Sequence, residues 1–206
     1  YFSLPFVGCK NNPPKKEIDE KPITKNQRPQ IKKAPKNTPL PSLEEGIDYW
    51  TANNCKRTIP TSTILKEYQF NGYTFNLNPQ QGYGKETMFL ENGYKLDVTS
   101  KGCNSIVNTY SYFFTANDLD VSDEMAVSKK VLELIEMTAK MSKAEFNIKS
   151  RLNPLKVMVE QIGPFTIGNE LILSEKNGMQ KFSIERLEFK ESKNKVFLSY
   201  YFSYNL

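Results

Sequence analysis

From Thr63 onward the apolar positions of this chain alternate with polar ones in short runs, shift once to a longer period, and then alternate again. Alternation marks a half-buried strand, and a period of about 3.6 residues marks an amphipathic helix. Residues 63–70 and 73–77 flank Asn71-Gly72 and predict a hairpin, because Asn-Gly readily takes the positive φ angles of a type I′ turn. Glu91-Asn92-Gly93-Tyr94 predicts a second hairpin between 87–90 and 94–98. A strand follows over 105–115, with Tyr110, Tyr112 and Phe114 on one face. Val127, Val131, Leu134, Ile135, Thr138 and Met141 then form one helical stripe, which predicts a helix over roughly 123–142. Ser122 or Asp120 is expected to cap it, while Asp123 and Glu124 favour its positive end. Further strands are predicted at 155–162, 165–173, 180–189 and 195–204, divided by Gly163-Pro164, Asn177-Gly178 and residues 190–194. The expected fold is α+β: a mainly antiparallel curved sheet packed against one long amphipathic helix.

The first part of the chain has a different composition. Residues 10–41 hold nine Lys/Arg, three Asp/Glu and seven of the twelve prolines, so this segment is +6 and the rest of the +5 chain is −1. The basic balance therefore belongs to a tether and not to a folded face, which removes the main support for nucleic-acid binding. Ile18, Ile23, Ile31 and Leu40 are its only large aliphatics, too few to offset ordering entropy, so an extended polyproline-rich spacer is expected. The 206 residues thus divide into 1–9, the tether 10–41 and a single globular domain 42–206.

What precedes the tether gives it a purpose. Phe6-Val7-Gly8-Cys9 closes an apolar run, and it resembles a lipobox, the signal of bacterial lipoproteins. The resemblance implies that Cys9 becomes the lipidated first residue of a mature envelope protein. It also implies that Lys10, standing where Asp would favour inner-membrane retention, permits the outer membrane. A diacyl anchor is stable because each buried methylene contributes about 0.8 kcal/mol. The alternative is that residues 1–7 form a short apolar strand or staple, too short to span a bilayer. Export would in turn allow a disulfide between Cys55 and Cys103, the cysteines left once Cys9 is acylated. Two unpaired structural thiols are the other reading.

Candidate chemistry is sparse. The chain has no His, which excludes Ser-His-Asp and Cys-His constellations and histidine-based metal sites or acid–base catalysis. No phosphate-binding glycine loop is present: Gly82-Tyr83-Gly84 reads as a loop. Asp118, Asp120, Asp123 and Glu124 cluster, yet Asp123 occupies the place where a calcium loop requires Gly, so capping is the expected role. No catalytic residue, metal or cofactor is expected. Aromatics cluster at 110–114 and 200–204, which suits a sheet core. Phe197 and Tyr201, on the second face of the last strand, are instead candidates for contact with a partner.

The resulting expectation is a membrane-anchored envelope lipoprotein whose domain binds another envelope protein, as an inhibitor, immunity factor or assembly accessory. One alternative is a glycan- or lipid-binding module with an aromatic-lined cavity of several hundred Å³. The other is a carboxylate-dependent hydrolase, which needs two acids facing one cleft.

Overall fold

The computed structural model describes residues 55–70, 72–79, 81–117, 119–143, 147–174 and 179–206. Cys9 and the lipobox-like residues, the basic tether, Asn71, Asp118 and Asn177-Gly178 lie outside them. The described strands are β1 (Thr74–Asn78), β2 (Tyr83–Phe89), β3 (Lys95–Lys101), β4 (Ser105–Thr115), β5 (Leu171–Ser174), β6 (Gln180–Lys190) and β7 (Lys195–Asn205). They form one antiparallel sheet in the order β1-β2-β3-β4-β7-β6-β5. Two helices, α1 (Glu124–Met141) and α2 (Ile148–Gln161), complete an α+β architecture. Where one long helix and a curved sheet were expected, the described residues hold two helices and a sheet that is not strongly curled.

Strand alternation sorts the side chains as the pattern requires. Leu96 and Val98 on β3, Tyr110, Tyr112 and Phe114 on β4, and Val196, Leu198, Tyr200 and Phe202 on β7 share an inner face, none more than 2% exposed. The helical stripe from Val127 to Met141 is buried against it. A hydroxyl cluster fixes how α1 lies on the sheet. Thr138 donates to Leu134 O at 2.8 Å, and the hydroxyls of Tyr112 and Tyr200 lie 2.7 and 2.6 Å from its Oγ1. The cap of α1 is Asp123, not Ser122 or Asp120, with Oδ1 accepting from Met125 N at 2.8 Å and Ala126 N at 3.1 Å. Asp120 instead closes the preceding turn on Ser122.

Three predicted strands differ. Residues 63–70 make no hairpin with β1: Ile64 forms an isolated bridge with Ser142, and Lys66–Tyr68 is a 3₁₀ turn. Tertiary pairing wins here, because Leu65 N donates to Met141 O and Lys143 N donates to Thr63 O, both at 2.9 Å, tying the segment to the end of α1. Residues 155–161 belong to α2 and Ile162 is its C-cap; the buried Ile148, Arg151, Leu152, Leu155 and Val159 follow helical spacing. Val157, inside the predicted strand, is 44% exposed. Pro154 stands inside the helix although Pro lacks the amide donor that a helix interior uses. The strand predicted at 165–173 shrinks to β5, because Phe165 packs 5.2 Å from the ring of Phe182 and donates its amide to Ser128 Oγ.

The segment before β1 is held from below by a buried carboxylate. Glu86, 2% exposed, accepts from Ser62 Oγ, Thr63 N, Thr63 Oγ1, Ile64 N and Tyr73 OH at 2.5–3.4 Å. Five donors replace the water such a charge would otherwise keep. Glu86→Ala is expected to lower unfolding stability by about 3 kcal/mol, because it strands buried donors. Urea denaturation would show this as a lower midpoint at unchanged slope, and a midpoint within error of wild type would refute the latch.

The β3–β4 turn is tight: Gly102 has φ +119, and a Cβ there would lie 1.8 Å from Ser105 O. This turn carries Cys103, whose Sγ lies 2.02 Å from that of Cys55, at disulfide distance. Arg57 N also donates to Cys103 O at 3.1 Å, fastening the start of the described domain to the sheet.

Candidate functional site

The helices, the 55–64 segment and the loop around Phe165 all contact the inner face, at Tyr112 and Tyr200, at Glu86 and Ser100, and at Phe182. The outer face lies opposite, and register places its residues in rows, because cross-strand partners point the same way. One row runs Phe89, Lys95, Phe113, Phe197, Glu188 across β2, β3, β4, β7 and β6. Phe113 and Phe197 meet at 4.8 Å between centroids. Lys95 Nζ lies 4.9 Å from the Phe113 centroid, and Arg186 Cζ lies 5.3 Å from that of Phe197. Both rings carry a cation, a favourable arrangement for their quadrupoles. Arg186 is held in turn by Glu188. A depression of about 590 Å³ beside this row is lined by Phe113, Glu188, Phe189 and Phe197.

The neighbouring row centres on Asp97, which accepts from Thr87 Oγ1 at 2.9 Å and pairs with Lys95 at 3.1 Å and Lys85 at 3.3 Å. Farther along β7, Tyr201 OH donates to Glu170 Oε1 at 2.5 Å, and Lys181 Nζ lies 2.6 Å from the other oxygen. Desolvation, and then the Glu170 carboxylate, push the Tyr201 phenol up to about 12. The sequence-derived candidates Phe197 and Tyr201 therefore do share the outer face, but both are half-buried and engaged. In the outer-face row the more exposed aromatics are Phe89, at 56%, and Phe113, at 37%. Sequence reading missed them because their exposure depends on which residues stand across the ladder.

Other concavities lie along the helices. A cavity of about 740 Å³ is walled by Tyr94, Phe114, Leu119, Ala126, Lys130 and Glu133. Lys130 there sits 5.2 and 5.5 Å over the Tyr94 and Phe114 rings and 2.8 Å from Glu133. A second, of about 610 Å³, lies between α1 and α2 and includes Lys140, Lys149 and Lys156.

The two buried carboxylates of the described residues, Glu86 and Asp97, point to opposite sheet faces, since Glu86 pairs with Val98. They do not form the paired acids of a carboxylate hydrolase cleft. Among the described residues, no group of three or more His, Cys, Asp or Glu is placed to hold a metal ion, and no helix is long and apolar enough to cross a membrane. No protein-family pattern, curated protein or solved structure matches this chain.

Proposed function

We propose that this protein is a bacterial envelope lipoprotein, anchored through Cys9, whose domain binds another envelope protein through the outer sheet face around Phe113 and Phe197. The observation that supports the binding surface is the Phe89–Lys95–Phe113–Phe197–Glu188 row, which puts aromatic area and cations on the face opposite the helices. Aromatic residues with Arg are the side chains that dominate protein–protein binding energy. A sugar ring needs a free aromatic face for stacking, whereas Lys95 and Arg186 already lie over these two. The role is that of an inhibitor, immunity factor or assembly accessory. The anchor reading rests on the lipobox-like Phe6-Val7-Gly8-Cys9 and the basic tether after it.

The test takes natively expressed protein, Cys9→Ser and Phe113→Ser/Phe197→Ser. Wild type is expected in membranes with an acyl mass on Cys9, and Cys9→Ser in the soluble fraction without it. The aromatic double variant should keep its fold yet bind the co-purified partner about thirtyfold more weakly. An unacylated wild type would sink the anchor, and unchanged affinity in the double variant would sink the surface.

A further inference from the structure

β6 is longer than the strand beside it. Leu171 pairs with Phe182 and Ile172 with Lys181, and a bulge between Ile184 and Arg186 follows. From there residues 185–190 pair with β7 on one side, and on the other they have no strand neighbour among the described residues. The direction of their backbone groups follows from one bond. Gly168 N donates to Ile184 O at 2.8 Å, so this carbonyl points away from β7. Ile184 stands opposite Tyr200, and hydrogen-bonded pairs alternate along an antiparallel ladder, so Leu198 and Val196 are of the same type as Tyr200. Their partners Leu187 and Phe189 therefore turn amide and carbonyl outward too. No backbone bond to these outward groups is made among the described residues.

The side chains of this edge are sorted by face. Leu187 and Phe189 stand in register with the inner-face Leu198 and Val196, and Phe189 is 41% exposed. Glu188 and Lys190 stand with the outer face, beside the depression lined by Phe113, Lys195 and Phe197. Glu188 is engaged by Arg186, whereas Lys190 lies directly opposite Lys195. Like charges across a ladder repel, and an acidic side chain set beside them relieves the repulsion. A bulge and charged residues also discourage pairing with an identical edge, so a strand of complementary charge is favoured over a second copy.

We infer that residues 185–190 receive an extended, acidic segment of the partner protein as an added strand next to the outer-face aromatic row. This rests on that face being the partner surface, and it names the chemistry of what binds there. The outward groups of Leu187 and Phe189 supply main-chain hydrogen bonds, and alternate side chains supply selectivity. Apolar residues of the segment cover Phe189, and its acidic residues lie beside Lys190 and Lys195.

The test adds a short synthetic peptide alternating valine with glutamate to the intact protein, with a valine–lysine peptide as control, and follows amide hydrogen exchange residue by residue. The glutamate peptide is expected to bind at least about tenfold more tightly than the lysine peptide and to slow exchange at Leu187 and Phe189. Lys190→Glu should erase that preference. Phe189→Pro removes an outward amide while leaving the ladder to β7 whole, and should weaken the glutamate peptide by at least about tenfold. If that variant does not fold, a glutamate peptide with alternate amides N-methylated serves instead and should lose binding. Absence of binding, equal binding of both peptides, or binding that leaves both amides unprotected would overturn the added strand. So would protection already present without peptide, which a second copy or the chain itself would produce. If Phe113→Ser/Phe197→Ser weakens the natural partner while neither amide gains protection from the peptide, the outer-face reading survives and the strand alone falls.

Discussion

Above pH 10 the domain is expected to lose about 4 kcal/mol of stability for each further pH unit, because three tyrosines cannot ionise where they are folded. Tyr110, Tyr112 and Tyr200 are fully buried, and desolvation raises all three phenols well above their ordinary value of 10. Neighbouring tyrosines push Tyr110 and Tyr200 further in the same direction, whereas hydrogen bonds from Thr138 and Tyr200 pull slightly against burial at Tyr112. Below pH 10 both folded and unfolded chains hold these protons and the stability is intact. Above it the unfolded chain sheds them while the folded one keeps them, so rising pH favours unfolding. Each such group contributes about 1.4 kcal/mol per unit, and the three act together. Denaturation midpoints measured across the alkaline range, with phenolate absorbance followed in parallel, check this. The buried phenols should ionise only as the fold is lost. A smooth titration of every tyrosine in the folded protein would show that the hydroxyl cluster under α1 is open to water.

Replacing Cys55 and Cys103 together with Ala is expected to destabilise the oxidised protein by about 4 kcal/mol. The cross-link closes a loop of sequence separation 48, which contains β1, β2 and β3, and its removal frees that loop in the unfolded chain. Because the denatured state expands, the slope of urea unfolding should rise while its midpoint falls. Dithiothreitol should reproduce the shift in wild type and leave the Ala variant unchanged. The contact between Arg57 N and Cys103 O keeps the two ends adjacent without the bond, so the variant should still fold. Equal stability of wild type with and without reductant would mean that the cysteines are unpaired thiols, and it would weaken the export reading with them.

The sequence by itself determined the elements whose signal is local. The run of β4 from Ser105 to Thr115, the hairpin at Asn92-Gly93, the stripe of α1 and the alternation of β7 each bury a face that a short window reveals. Placing Phe197 and Tyr201 together on the second face of β7 needed only that alternation. The same local reading failed at 63–70 and 155–162. In the first, long-range backbone bonds to the end of α1 override an alternating pattern, and in the second Pro154 and an exposed Val157 mask helical spacing.

Tertiary structure alone decided what surrounds each charged group. Pairing of β4 with β7 brings Ser105 against Asn205 and so fixes the outer-face row, whose members lie on five strands. Glu86 looks like any surface acid in an alternating strand until residues 62–64 close over it. Arg57 and Arg151 read as solvated cations until the sheet and α2 bury them. Periodicity reports which side of its own element a residue faces. Burial of a charge depends on segments distant in sequence, and no local pattern encodes them.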